Sequence, residues 1–99
     1  MPLSRFTFIV KAPGYDAHQH RAALTSDAFT TQVIGVSDLA AAIEAARQQA
    51  EQGTQLIELC GGFTPQEAAE LRRHLPSTVP VGVVAYDAQR QAELERLFA

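Results

Sequence analysis

The sequence predicts an α/β protein: a sheet of parallel strands with helices packed on it. Three observations carry this. Strand-like and helix-like segments alternate four times along 99 residues, the pattern of crossover connections. Two strand-like runs, QLIELC and VPVGVVAY, are almost continuously apolar, as strands covered on both faces are. The helix-like runs open on capping residues, and two of the four close on Gly53 or Pro76, so their ends are marked.

FTFIV, Phe6 to Val10, is aromatic and β-branched and reads as the first strand. Pro13 and Gly14 break it. Asp16, with Gln19 three residues on, resembles a capping box and predicts a short helix over Ala17 to Leu24. TSDAF connects to the second strand, TTQVIGV, Thr30 to Val36. Ser37 is read as the N-cap of an alanine-rich helix whose stripe is Leu39, Ala42, Ile43, Ala46 and Ala50, ending at Gly53. Gln55 to Cys60 is the third strand. Thr64, Pro65 and Glu67 then start a helix with the stripe Ala68, Leu71 and Leu75, stopped by Pro76. Val79 to Tyr86 is the fourth strand, and Asp87 caps a last helix, Ala88 to Phe98, with inner residues Leu94, Leu97 and Phe98.

These elements fit one domain, residues 1–99, built as a flavodoxin-like (Rossmann-like) three-layer sandwich of four parallel strands in the order 2-1-3-4. The alternative is half of a β/α barrel, order 1-2-3-4. A ferredoxin-like arrangement ranks third, because it needs antiparallel neighbours.

The totals exclude several functions. Net charge is −3, with no basic stripe, so neither nucleic acid nor an anionic membrane surface is an expected partner. No apolar run approaches the ~20 residues of a membrane span, and no secretory signal is legible. The single cysteine, Cys60, makes no internal disulfide and suits a reducing, cytoplasmic setting. Four strands are few, and the last helix ends in apolar residues, so a homo-oligomer, a dimer, is expected to bury part of Leu94, Leu97 or Phe98. The competing reading is that this face closes the domain's own core.

Ligands of open α/β sheets bind outside the carboxyl ends of the strands, where strand order reverses. With the order 2-1-3-4 that point lies between the loops KAPGYD, Lys11 to Asp16, and CGGFT, Cys60 to Thr64. Gly61 and Gly62 are candidates for an anion cradle at a helix start, together with Lys11, Gly14, Tyr15, Asp16, His18, Phe63 and Thr64; the plainer reading is a sharp turn with positive φ. A small anionic metabolite is the expected ligand.

An enzyme is the second reading. Cys60 near a helix N-terminus is a candidate nucleophile, with His18 or His20 as base. Alternation sets Glu58 on the same strand face as Leu56 and Cys60. A mid-strand carboxylate needs a partner such as Thr7, Lys11 or Arg21, or it serves as an acid or base. The structural alternatives are an inert buried thiol and a paired, structural glutamate. No metal is expected, because the rings of H-x-H on a helix point about 200° apart, and no cofactor is predicted. The third reading is a self-association module.

FIVKAPGYD, ELCGGF and VPVGVVAYD, in that order, resemble a family of small bacterial proteins of about this length, catalogued as a domain of unknown function. The resemblance spans nearly the whole chain and implies a stand-alone domain of this size, with no activity or ligand to carry over. More faintly, Asp16-x-His18-x-x-Arg21 after a strand is similar to the D-x-H-x-x-G loop of cobalamin-binding domains, where the histidine ligates cobalt. Arg21 stands where that loop has glycine.

Overall fold

In the computed structural model, which describes residues 2–99, the first strand, β1 (Arg5–Lys11), lies at the centre of the sheet. The other strands are β2 (Arg21–Thr25), β3 (Thr30–Val36), β4 (Leu56–Leu59) and β5 (Val81–Val83), in the order β2-β3-β1-β4-β5. β1 runs parallel to β3, with Thr7 opposite Gln32, and parallel to β4, with Thr7 opposite Ile57. β5 is parallel to β4, and β2 is antiparallel to β3. The helices are α1 (Leu39–Glu51), α2 (Pro65–Arg72) and α3 (Ala88–Leu97).

The sheet therefore differs from the expected one. It is mixed and five-stranded, not four parallel strands. The expected helix over Ala17 to Leu24 is a single turn at Asp16–His20 followed by β2. Ala22, Ala23 and Leu24 favour helix locally, but the Ser26–Phe29 loop folds Arg21–Thr25 back onto β3. Ser26 Oγ accepts from the N–H groups of Ala28 and Phe29 at 3.2 and 3.1 Å, and Ser26 N–H donates to Phe29 O. Pairing with β3 overrides helix propensity here. The half-barrel is excluded, because β1 separates β3 from β4.

Three layers are also not formed. The β3-α1-β4 and β4-α2-β5 crossovers step across the sheet in the same direction. Right-handed connections then put both helices on one face, and α1 packs on α2. A third layer needs a helix between β1 and β3, and that connection is the turn and β2 instead. The core is the α1/α2 side of the sheet. Ile9, Ile34, Val36, Ile57 and Leu59 meet Ala42, Ala45 and Ala46 of α1, Ala68 and Leu71 of α2, and Phe63. Small alanines bring α1 close to the strands. At the lower end of this layer, buried Thr7 bonds Gln49 Oε1 of α1 (3.1 Å) and Thr54 Oγ1 (2.9 Å).

Helix ends follow local chemistry. Asp38, not Ser37, is the N-cap of α1; its carboxylate accepts the Ala41 N–H at 2.8 Å. Gly53 takes φ +98 just past the helix. Thr64 and Glu67 form a complete capping box on α2. Asp87 caps α3, which has no buried residue, so Leu97 and Phe98 do not close the chain's own core.

Candidate functional site

The reversal of strand order falls between the carboxyl ends of β1 and β4, and the chain fills much of this crevice itself. Lys11 Nζ lies 2.9 and 3.1 Å from the two carboxylate oxygens of Glu67 and 5.4 Å from the centre of the Phe63 ring. The Thr64 N–H donates to Glu67 Oε1 at 2.9 Å, and Thr64 Oγ1 accepts the Glu67 N–H at 3.1 Å. The Lys11 ammonium, and after it the Thr64 amide, holds the Glu67 carboxyl below its ordinary range. An internal carboxylate thus sits at the positive end of α2, where an external anion was expected.

Around that pair the structure gathers Cys60, Gly61, Gly62, Phe63 and Thr64. Neither glycine has positive φ, so the left-handed turn expected of them is not what they supply. They allow close approach. A Cβ on Gly62 would lie 3.2 Å from the Lys11 carbonyl and 3.4 Å from Cys60 Sγ, and one on Gly61 would lie 3.4 Å from the Tyr86 ring. Cys60 packs against the core, and its Sγ accepts the Lys11 N–H at 3.3 Å. Among the described residues no hydrogen bond joins His18 or His20 to Cys60.

Glu58 is on the sheet face away from the helices, because its neighbours Ile57 and Leu59 are both in the core. It lies opposite Phe8 on one side and Gly82 on the other. Among the described residues it has no ion-pair or hydrogen-bond partner. None of its expected partners reaches it: Thr7 is on the helix side, Lys11 is taken by Glu67, and the alternation of β2 sends Arg21 to the helix side with Ile34.

The Tyr15–Arg21 loop is ordered by its own groups. Gly14 takes φ +85. The Asp16 carboxylate accepts the N–H groups of His18 (2.8 Å) and Gln19 (3.3 Å), and the His18 amide in particular holds that carboxyl below its ordinary titration range. His20 Nδ1 accepts the Asp16 N–H at 2.8 Å, which leaves Nε2 as the proton-bearing nitrogen of the neutral ring. The Tyr15 and His20 rings lie 5.4 Å apart at 43°. The Gly35 N–H donates to His20 O at 2.8 Å and ties the loop to β3.

Two cavities flank this loop. One, of about 180 Å³, lies toward α1 and includes Asp16, His18, Arg21 and Glu44 in its walls. The other, of about 310 Å³, lies on the open sheet face. Its floor is Val10, Val33, Gly35 and Ala22, and its walls are Tyr15, Gln19, His20 and Arg21. Sequence reading missed the floor residues, since they converge only once Arg21–Thr25 is known to be a strand beside β3. Among the described residues no three histidine, cysteine, aspartate or glutamate side chains converge as metal ligands. No helix of the described residues is long and apolar enough to cross a membrane.

These features define the class: a two-layer α/β domain with one sheet face left open and a polar loop at its carboxyl edge. The chain belongs to the family of unknown function DUF6506, whose model matches residues 4–99. No curated protein and no solved structure matches the chain. The cobalamin resemblance finds no support: a strand, not a helix, follows His18, and Arg21 is the first residue of that strand.

Proposed function

We propose that this protein binds a small organic acid with an apolar body in the groove on the open sheet face. The observation that carries the reading is the composition of that groove. Val10, Val33 and Ala22 form an apolar floor, while Gln19 and His20 supply donors along one wall and Arg21 stands at its edge. The His20 ring is oriented by the Asp16 amide, so its Nε2–H is a fixed donor, and Arg21, at the edge shared by this groove and the cavity toward α1, sets a permanent positive charge beside it. An apolar cavity with a few convergent polar groups is the usual form of a small-molecule site. The Tyr15 ring, 41% exposed, offers a flat face to a planar ligand. This reading moves the ligand from the β1–β4 crevice, where Glu67 already meets Lys11, to the neighbouring face of the same carboxyl edge.

A thermal-shift and calorimetric panel of aromatic and short aliphatic carboxylates, each paired with its primary amide, tests the proposal. The acids are expected to raise the melting temperature with concentration and the amides to do so less. Arg21→Gln should abolish the preference for acid, and Tyr15→Ala should weaken both series. Equal response to acid and amide, or binding indifferent to both substitutions, would sink the reading.

A further inference from the structure

Among the described residues, two surfaces of this chain have no counterpart within it. The first is the sheet face opposite α1 and α2. Alternation places Phe6, Phe8 and Val10 of β1, Val33 of β3 and Leu56 of β4 there, all only half-buried and none in the core. At the β2 edge Leu24 is 67% exposed. The second is α3. Only Leu94 is half-buried, Leu97 and Phe98 are 73% and 78% exposed, and the helix makes no extensive contact with any other element. A helix of 10 residues is below the length that persists alone in water, about 12–15 residues, so α3 needs a surface to pack on.

We propose that a second copy of this chain covers both surfaces. The two open sheet faces turn toward each other about a two-fold axis, and each α3 lies across the Phe6, Phe8 and Leu56 end of the other copy's sheet, so that the groove over Val10 and Val33 stays open at the carboxyl edge. Leu94, Leu97 and Phe98 then meet Phe6, Phe8 and Leu56 of the partner.

Charge placement argues for this occupant. The strands carry one charged residue on the open face, Glu58, and it has no partner among the described residues. Helical spacing puts Leu94, Leu97 and Phe98 within one arc of α3, and the one charged residue inside that arc is Arg90, one turn before Leu94. Among the described residues Arg90 now pairs only with Glu93 on the same helix, where both are about half exposed. A lone carboxylate in an apolar sheet face and a lone cation in an apolar helix face complement each other, and one chain carries both.

Size argues the same way. Five strands at ~4.8 Å spacing and ~15 Å of strand length give the sheet face a planar area of roughly 350 Å². The ~15 Å length of α3 adds a strip of roughly 150 Å². Either surface alone falls well short of the ~800 Å² per partner of a stable interface, whereas both together, with side-chain relief, come near it.

This inference does not depend on ligand binding, and its test uses no ligand. The full chain is examined by light scattering and sedimentation across micromolar concentrations, with Glu58→Arg and Arg90→Glu prepared separately and then mixed. Wild type is expected to be a dimer. Each variant alone sets like charges together and should dimerise about tenfold more weakly or worse. The mixture restores both pairs across the interface and should dimerise as wild type does. Leu97→Ser with Phe98→Ser, at positions already exposed, should give a monomer with the far-ultraviolet spectrum of the fold intact, which keeps the test valid if the charge variants fold poorly. A wild-type monomer at all concentrations would overturn the proposal, as α3 folding onto its own sheet would produce. A dimer unmoved by the Leu97 and Phe98 substitutions would overturn it too, as pairing through the β2 edge would produce. A mixture no more dimeric than its parts would do the same.

Discussion

Gly35 and Tyr15 occupy one another's space. A Cβ built on Gly35 would lie 2.7 Å from both Cγ and Cδ2 of the Tyr15 ring, closer than real contacts allow. Gly35 does not have positive φ, so its backbone admits other residues and the constraint is purely steric. The ring that needs this space also walls the open-face groove and lies beside His20.

Gly35→Ala should therefore expel the Tyr15 ring and cost about 1–3 kcal/mol as overpacking. Urea unfolding measures the cost. Adding Tyr15→Ala removes the ring that clashes, so the double variant should be less destabilised than the sum of the singles. Strict additivity would show that the two do not compete for space.

The Lys11–Glu67 pair makes a pH prediction. Both side chains are only 23% exposed, and the hydrogen bond from Lys11, followed by the Thr64 amide, depresses the Glu67 carboxyl in the folded chain. A carboxyl lowered on folding stabilises fully above its unfolded value, near 4.5, and that stability is lost as pH falls through the folded value. The stability of wild type should thus fall toward that of Glu67→Gln as pH drops from about 7 to about 3, with the gap widest near neutrality. A gap that stays constant with pH would contradict the assignment. Thr64→Ala, which removes the other half of the box, should cost about 1 kcal/mol at neutral pH.

Thr7 is fully buried, and its hydroxyl donates to Gln49 Oε1. Thr7→Val keeps the shape and strands that oxygen, at an expected cost of about 1–3 kcal/mol. Gln49→Leu in the Thr7→Val background removes the stranded group, so it should recover part of the loss. Chemical denaturation of the two singles and the double reads the coupling.

Cys60 lies against the core with its sulfur facing the Lys11 amide. Iodoacetamide should modify it more slowly in the native protein than in urea, and Cys60→Ser should leave acid binding in the groove unchanged. Rapid native alkylation with loss of binding would return the thiol to the centre of the function.

What the sequence made legible was mostly local. The Thr64-Pro65-x-Glu67 start of α2 and the glycine after α1 could be read because capping depends on residues within one turn. The cap of α1 slipped by one position because Ser37 and Asp38 are both good caps, and only geometry selects the one that reaches Ala41. The resemblance to an uncharacterised family, carried chiefly by ELCGGF, holds over residues 4–99. RAALT defeated local reading. Its propensity is helical, all five residues are exposed, and only its hydrogen bonds to β3 make it a strand. That single change turned three layers into two. Alternation placed Glu58 opposite Ile57 and Leu59, but whether its face was covered depended on the connection between β1 and β3. The floor of the groove was hidden for the same reason.

The sheet order also sets a timetable for synthesis. β1 emerges first yet ends in the middle, flanked by strands that begin at Thr30 and Leu56. Until the ribosome has released the chain past Leu59, one edge of β1 has no neighbour, and Phe6, Phe8 and Ile9 wait with it. Unpaired strand edges of this kind are where growing chains stick to one another. The hairpin of β2 and β3 is local and quick to form, so it can shield one side of β1 while α1 and β4 are still being made.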